Sequence, residues 1–407
     1  MKKVVWIVNQ FAISPEMTGG TRHYELAHYL KNEGFEVFII ASDFSAFDLK
    51  FKKLSENQSY KIENYLGVKF LWVKTLSYKK NNYMRLINQY VFAFNTYKIS
   101  EKLPRPIVII GSSPQLITAF TALLLSIKRR AKFIGEIRDL WPETLLQLKP
   151  SMKYNPYYYF LKMIEQVLYF KSKFIVVVVE RFGNFIARTK KDRNKILCVP
   201  NGISKFVFDE SLECKIDYNF NNKKFKVIYA GAFGLANNLE ILIEVSKRIK
   251  EYPIEMILIG DGPKKKELND IIKEQNIENL KLFDPVSKSE ILNIVKKADI
   301  GLLILKDIPL FKLGISPNKL FDYMLAGKPV VCSLPKGVFG SLENVKSLHI
   351  VTPNDPIELS KKIIELSQMD REKLHQLGVM GYDFVLENYS RDKLFQPLLK
   401  VIKKYGG

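Results

Sequence analysis

Cysteine is scarce in this chain: Cys198, Cys214 and Cys332 are the only three in 407 residues. They show no paired spacing, which excludes a disulfide framework and fits a reducing compartment. Histidine is as sparse, and His23, His28, His349 and His375 are too scattered to suggest a ligand cluster. No DxD pair closes a strand, so nothing in the sequence calls for a metal. GxGxxG spacing is also missing, which argues against a nicotinamide dinucleotide site. Long apolar runs are absent. The opening run Val4–Val8 is interrupted at Asn9 and Gln10, too short a core for a signal peptide. Leu116–Ile127 and Phe174–Val179 fall short of the ~20 residues that span a bilayer. The expected location is therefore cytoplasmic, peripheral to the inner face of the cell membrane. No short-period repeat and no RNA-binding motif is visible. Acidic residues are few against basic ones, 42 Asp and Glu to 63 Lys and Arg, giving a net charge of +21. That field favours anionic partners: nucleotides, nucleic acid or an anionic membrane surface.

With 47% hydrophobic and 26% charged residues, the chain has the composition of an ordinary folded protein, long enough for two domains. Val4–Val8, a continuous apolar run, reads as a strand buried on both faces, and Glu36–Ala41 as the next strand. A glycine-containing loop and an amphipathic helix, about Thr21–Glu33, join those two strands, which is the start of a doubly wound parallel sheet. Further strands are expected at Ile107–Ile110, Phe133–Ile137, Phe174–Val179 and Ile196–Val199, with a strand pair in 57–75. After Pro200-Asn201-Gly202 and a polar interval, Ser204–Lys224, the pattern restarts. Strands are then expected at Lys226–Ala230, Glu255–Ile259, Lys281–Phe283, Asp299–Leu305, Pro329–Ser333 and His349–Val351. The expected domains are 1–203, 204–390, and a Lys-rich helix in 391–407 that packs back on the first half. Two helical segments, 79–98 and 150–173, interleave aromatic and basic residues. They suit a membrane interface or core helices with solvated lysines.

In parallel sheets the loops at the carboxyl ends of the strands carry ligands. In the first half these include Gly19 and Gly20, with Arg22 just beyond, and Arg138, Asp139 and Glu143 in EIRDLWPE. Each also has a plainer reading as a turn or a capped loop. In the second half, GAFG (231–234), GDGP (260–263), DPV (284–286) and ISPNK (315–319) converge on one edge. The stretch Gly314–Val331 reads as loop, helix, glycine stop and strand. Ser316 is the expected N-cap, Pro317 the first helical residue and Gly327 the C′ position. Lys319 in the first turn and Asp322 one turn deeper share a face. They are either an i,i+3 surface salt bridge or the diphosphate and ribose contacts of a nucleotide site.

Taken together, MTGGTRHYELAHYLKNEGFEV, RDLWPE, VPNGI, GDGP, ADIGLLIL and SPNKLFDYMLAGKPVV resemble glycosyltransferase family 4, the retaining nucleotide-sugar enzymes. The resemblance covers essentially the whole chain and is closest to the bacterial O-antigen and capsule branch. It implies an α/β fold of the GT-B type, two Rossmann-like doubly wound domains facing across a cleft. It implies transfer of a sugar, an N-acetylated aminosugar, from a nucleoside diphosphate donor, UDP, to a hydroxyl of a lipid-linked polysaccharide precursor. No cofactor, metal or nucleic acid is implied. Where the family carries its first glutamate this chain has Gly314, and Asp322 stands at the second with a ribose contact. The family's diphosphate Arg and Lys fall on Ala232 and Asn237, leaving Lys319 for the leaving group. The family's His-Asp pair falls on Arg138-Asp139, with Asp139 carried over near the acceptor hydroxyl or the anomeric centre, and Gly19, Gly20, Arg22, Arg138 and Glu143 are the implied acceptor and diphosphate loop. The implied donor-binding set is Gly231, Gly234, Asn237, Gly262, Val286, Ile315, Ser316 and Asn318. The rival classes are a GT-B-fold nucleotide-sugar epimerase and a basic nucleic-acid-binding protein.

Overall fold

The computed structural model describes residues 3–17, 19–45, 50–51, 53–78, 83–113, 115–204 and 223–406. Most of the expected polar interval, with Cys214, and the first residues of the expected 79–98 helix lie outside the described residues. Contacts divide the chain into two units. Unit 1 comprises Met1–Pro15, Gly20–Pro200 and Leu394–Gly407; unit 2 comprises Glu16–Gly19 and Asn201–Lys393.

Unit 1 opens with β1 (Val4–Val8), α1 (Arg22–Asn32) and β2 (Glu36–Ser42), followed by a small antiparallel ribbon, β3 (Phe44–Ser45) and β4 (Lys50–Phe51). Next come β5 (Tyr60–Tyr65), β6 (Val68–Val73), α2 (Tyr83–Ile99), β7 (Val108–Ser112), α3 (Leu116–Lys128) and β8 (Lys132–Ile137). The run to the unit boundary is α4 (Glu143–Leu148), α5 (Pro156–Lys171), β9 (Phe174–Val177), α6 (Glu180–Ile186), α7 (Lys190–Arg193) and β10 (Ile196–Cys198). The sheet order is β10-β9-β8-β7-β1-β2-β6-β5, parallel throughout except for the edge strand β5. Val4–Val8 is buried at every position. Side chains alternate between faces along a strand, so only a strand covered on both sides can be apolar at each residue. Strand order reverses at the β1–β7 pair, where connections leave in opposite directions and open a crevice at the strand ends.

Unit 2 contains β11 (Phe225–Ala230), α8 (Ile241–Arg248), β12 (Ile254–Ile259), α9 (Lys265–Glu274), β13 (Leu280–Phe283), α10 (Lys288–Lys296) and β14 (Ile300–Ile304). It continues with α11 (Asn318–Leu325), β15 (Val330–Ser333), β16 (Leu348–Val351), α12 (Pro356–Ser367) and α13 (Arg371–Asn388). The short α14 (Arg391–Leu394) returns the chain to unit 1, where α15 (Gln396–Gly406) ends it. All six strands are parallel in the order β13-β12-β11-β14-β15-β16, with the reversal at β11–β14. The capping box expected at the start of α10 is present, with Ser287 and Glu290 each bonding the other's backbone N–H.

The terminal segment is tied into unit 1 by Phe395, which is fully buried and meets Tyr29 edge-on. Lys403 pairs with Glu33 at 2.6 Å. Among the described residues no helix is long and apolar enough to cross a membrane.

One local expectation is corrected. Ser316 does not cap α11: the N-cap is Pro317, with extended backbone and no side-chain cap bond, and the first helical residue is Asn318. Both polar groups of Ser316 are taken by Asn201, whose backbone N–H donates to the Ser316 hydroxyl at 2.9 Å. The Asn201 amide donates to the Ser316 carbonyl at 2.6 Å. A hydroxyl accepting from a distant backbone has less to offer its own helix.

Candidate functional site

The switch point of unit 2 gathers three loops. The segment after β11 is zipped to the segment after β12: Gly231 N–H donates to Ile259 O at 2.9 Å and Phe233 N–H to Asp261 O at 2.8 Å. The two backbones approach so closely that a Cβ on Gly260 would lie 1.9 Å from Gly231 O, and one on Gly262 2.6 Å from Phe233 O. Both glycines also have positive φ. The GDGP glycines therefore hold one loop against another, which accounts for their identity without a ligand.

Helix α11 is seated by Tyr323. This fully buried side chain accepts from Ala230 N–H at 2.8 Å, and its ring covers Gly301 on β14, where a Cβ would lie 2.5 Å away. At the other end Gly327 takes φ +67, the C′ conformation expected of it. With α11 fixed, its first turn projects Lys319 toward β11. The ammonium donates to Tyr229 Oη at 2.8 Å and to Asn237 Oδ1 at 3.4 Å. It lies 4.1 Å from the centre of the Tyr229 ring. Tyr229 Oη donates in turn to Ala232 O at 2.7 Å, and Asn237 Nδ2 donates to the same carbonyl at 2.9 Å. A Cβ on Gly231 would come within 3.0 Å of the Lys319 ammonium. Lysine thus fills the space that a side chain at 231 would need.

This geometry excludes the salt-bridge reading of Lys319 and Asp322. Among the described residues Lys319 makes no ion pair, with Asp322 or any other carboxylate. Its ammonium is enclosed by neutral groups, and burial lowers its pKa to about 7. Its hydrogen-bond partners are a phenol oxygen and an amide oxygen, beside glycine backbone. Asp322 is half-buried one turn further along α11. Asn318 occupies the helix start; Ile315 N–H donates to Val338 O at 3.2 Å, and Ile315 and Val286 are half-buried against the core beneath. Gly234 lies in the loop beside Asn237, its would-be Cβ 3.3 Å from Asn237 Nδ2.

Unit 1 has its own polar cluster at the ends of β1, β7 and β8. Glu136 is fully buried and accepts from Arg22 Nε at 2.8 Å, His23 Nε2 at 2.6 Å and Ser112 Oγ at 2.6 Å. Burial alone would raise its pKa, yet His23 and Arg22 hold it well below the ordinary carboxylate value. Burial lowers His23, keeping its ring neutral near pH 7. With Nε2 donating to Glu136, its Nδ1 accepts from Asn9 Nδ2 at 3.0 Å. Arg22 also donates to the carbonyls of Val199 at 2.8 Å and Pro200 at 2.9 Å, and it stacks 5.7 Å from the centre of the Phe395 ring. Its guanidinium binds together α1, β8 and the two segments where the chain leaves and re-enters unit 1.

Arg138 and Asp139 follow β8. Arg138 is half-buried and its N–H donates to Ser113 Oγ at 3.0 Å. Asp139 is exposed as a residue, but crowding by protein raises its carboxyl while Arg138 pulls it back down. Glu143 pairs with Lys162 at 2.5 Å and accepts from Tyr158 Oη, tying α4 to α5. Gly19 and Gly20 are exposed, Gly19 with φ 135. The structure thus brings Lys319, Asn237, Gly231 and Gly234 together in unit 2. In unit 1 it places Arg138 and Asp139 at one strand end, with Arg22 and Glu143 committed to neighbouring side chains.

Sequence reasoning missed Tyr229, Asn201, Glu136 and His23. Tyr229 sits inside a strand and reads as core; Glu136 interrupts the apolar run of β8, and that interruption was the available signal.

Residues 212–383 match the family model described as Glycosyl transferases group 1. The chain is 23% identical over 304 residues, 74% of each protein, to the probable glycosyltransferase WbjE of Pseudomonas aeruginosa. Its fold is similar to sucrose-phosphate synthase of Thermosynechococcus elongatus, with TM-score 0.76 and 13% identity over 99% of each chain. The E. coli trehalose-6-phosphate structure bound with UDP-2-fluoro glucose gives TM-score 0.70 and 12% identity, again over 99% of each chain. The fold is α/β with parallel sheets, of the GT-B type.

Proposed function

We propose that the protein is a retaining glycosyltransferase that moves a sugar from a nucleoside diphosphate donor to a hydroxyl of a lipid-linked glycan precursor. The observation that carries the reading is Lys319, held by Tyr229 and Asn237 over Gly231 at the switch point of unit 2 with no carboxylate partner. It lies within the segment that matches Glycosyl transferases group 1. In this reading the donor diphosphate meets the Lys319 ammonium and the backbone of Gly231 and Gly234, while Asp322 accepts from ribose hydroxyls. As the bond between the anomeric carbon and the β-phosphate oxygen breaks, negative charge develops on the diphosphate. A preorganised, desolvated cation stabilises such charge far more than an exposed one would. The acceptor oxygen bonds to the same face of the anomeric carbon and its proton passes to the departing phosphate oxygen, so configuration is retained. Asp139 orients the acceptor hydroxyl. Lys319 supplies the neutralisation, so the reading asks for no metal.

The likeness to WbjE and to a UDP-sugar complex supports a UDP-linked hexose or N-acetylhexosamine as the donor. A membrane-borne acceptor in O-antigen or capsule assembly is supported by one face of unit 1, where α3 packs between α2 and α5. Tyr83, Phe94, Tyr159, Met163 and Phe170 stand exposed on α2 and α5. Lys98 lies 4.3 Å from the centre of the Phe94 ring, and Lys171 5.5 Å from that of Phe170. Aromatic rings flanked by lysines suit the headgroup region of an anionic leaflet at the cytoplasmic side.

The test is a panel of nucleotide-sugars incubated with lipid extract in EDTA, scored for nucleoside diphosphate released only when acceptor is present. Inversion of a sugar centre without transfer would point to an epimerase, and a strict need for Mg2+ would overturn the role given to Lys319. Co-flotation with anionic but not zwitterionic vesicles checks the membrane surface.

A further inference from the structure

The start of α11 has two conformations open to it. Ser316-Pro317 is by local preference a helix cap followed by a first-turn proline, with the Ser316 hydroxyl accepting from the N–H of Asn318 or Lys319. The structure holds the other conformation. Pro317 is the N-cap and no side chain caps α11. Among the described residues the N–H groups of Asn318 and Lys319 bond no acceptor. The first turn of a helix needs such partners from outside, and a hydroxyl able to serve stands one residue before the N-cap.

Asn201 keeps that hydroxyl away. It is buried and opens the main stretch of unit 2, Asn201–Lys393. Its backbone N–H donates to Ser316 Oγ at 2.9 Å, and its Nδ2 donates to Ser316 O at 2.6 Å. The first bond holds the hydroxyl. The second fixes the plane of the Ser316–Pro317 peptide, so the chain cannot wind one residue further into the helix. The anchor is itself fixed: Ile203 N–H donates to Tyr389 O at 2.9 Å, and Arg391 N–H to Ile203 O at 2.9 Å. Ile203 is buried in one core with Leu320 and Phe321 of α11. The Tyr389 ring lies 5.1 Å from that of Phe321. On the other flank Ile315 N–H is taken by Val338 O. The loop carrying Val338 is held by Glu343, which accepts from the N–H groups of Gly337 and Phe339 at 2.8 and 2.9 Å. The segment before α11 is clamped on both sides, against the preference of its own sequence. Such conflicts between local preference and tertiary structure gather at functional positions. Their result here is an open helix start in the turn that carries the Lys319 ammonium, and open N–H groups at a helix start bind anions.

We propose that Asn201 is a positioning residue for the donor: it holds Ser316 out of the cap position, so that the N–H groups of Asn318 and Lys319 stay open to the diphosphate. Calling the ligand a donor diphosphate rests on the transferase reading above; the competition between Asn201 and the cap does not. Asn201 acts through Ser316 rather than on the donor itself.

Two measurements on the full chain test this. Asn201→Ala removes the amide and frees the Ser316–Pro317 peptide to turn, and the hydroxyl, with a second lone pair, then reaches the helix. Amide hydrogen exchange reads that change with no ligand present. Exchange at Asn318 and Lys319 should slow in Asn201→Ala and become fast again in the double variant Asn201→Ala, Ser316→Ala, which has no hydroxyl to offer. Calorimetry with UDP, and with pyrophosphate as a base-independent probe, reads the consequence. Binding should weaken about fivefold in Asn201→Ala, the factor that one helix cap carries, and recover in the double variant. A lost structural contact or a misfolded chain would not be repaired by a second truncation. Unchanged exchange in Asn201→Ala, or a double variant that binds no better than Asn201→Ala, overturns the proposal. Exchange that follows the expected pattern while neither probe binds, or while both bind equally well in Lys319→Met, sinks the transferase reading and the donor role with it, and leaves only the competition for the cap.

Discussion

Each unit holds a cation beside the switch point of a parallel sheet, fully buried in unit 1 and half-buried in unit 2, and the two treat it in opposite ways. In unit 1, Arg22 is answered by the equally buried Glu136 at 2.8 Å and by two backbone carbonyls. In unit 2, Lys319 has a phenol, an amide and a ring, and no carboxylate among the described residues. A buried charge with its counter-ion is structure, because removing either partner leaves the other stranded. In the proposed reading, a charge without one is held for a ligand that brings it.

The largest effect is expected from breaking the paired side of the comparison. Glu136→Ala strands Arg22 and should cost about 3–5 kcal/mol, read as a lowered urea midpoint at unchanged slope. Lys319→Met should do the reverse. Donor turnover should fall on the order of 100- to 1,000-fold, while the thermal midpoint holds or rises because a desolvated ammonium is gone. A loss of stability comparable to that of Glu136→Ala would show that Lys319 is structural.

Gly231→Ala is subtler. Its methyl would press on the Lys319 ammonium, a flexible group that can yield by a few tenths of an ångström. The Michaelis constant for donor should rise several-fold with little change in folding stability, and an unchanged constant would remove Gly231 from the site.

The pH dependence of stability reads the same ammonium without a substitution. Lys319 has a folded pKa of about 7, against about 10.4 unfolded. Between those values the unfolded chain binds more protons, so stability should rise with pH from about 7 to about 10.4. Below pH 7 the full cost of the buried charge is present. Lys319→Met should flatten that rise, and identical slopes in both proteins would contradict the low pKa. Bound diphosphate should push the pKa back up, so donor binding above pH 7 should take up a proton, measurable as a buffer-dependent enthalpy.

Much of the fold was legible in the chain. Val4–Val8 matched residue for residue, and the other strands fell within a few positions, because a strand buried on both faces must be apolar throughout. The capping box at Ser287 was legible because both of its partners lie within four residues. The cap at Ser316 was misread because the competitor for its hydroxyl, Asn201, lies 115 residues away. The stretch around Lys319 and Asp322 was legible as a helix, with its chemistry left open. A salt bridge at i,i+3 and an inward lysine have the same local sequence, and Tyr229, 90 residues earlier, decides between them.

Local sequence alone determined the alternation of strands and helices, the glycine-marked strand ends and the excess of positive charge. Those depend on periodicity, turn chemistry and composition, each read over a few neighbouring residues. Tertiary structure decided which charges meet. Arg22 finds Glu136 across 114 residues, while the side chain of Arg138, two positions from that carboxylate, makes no hydrogen bond with it. Parallel strands bring together residues that the chain keeps far apart, and alternation of faces separates residues that the chain keeps close.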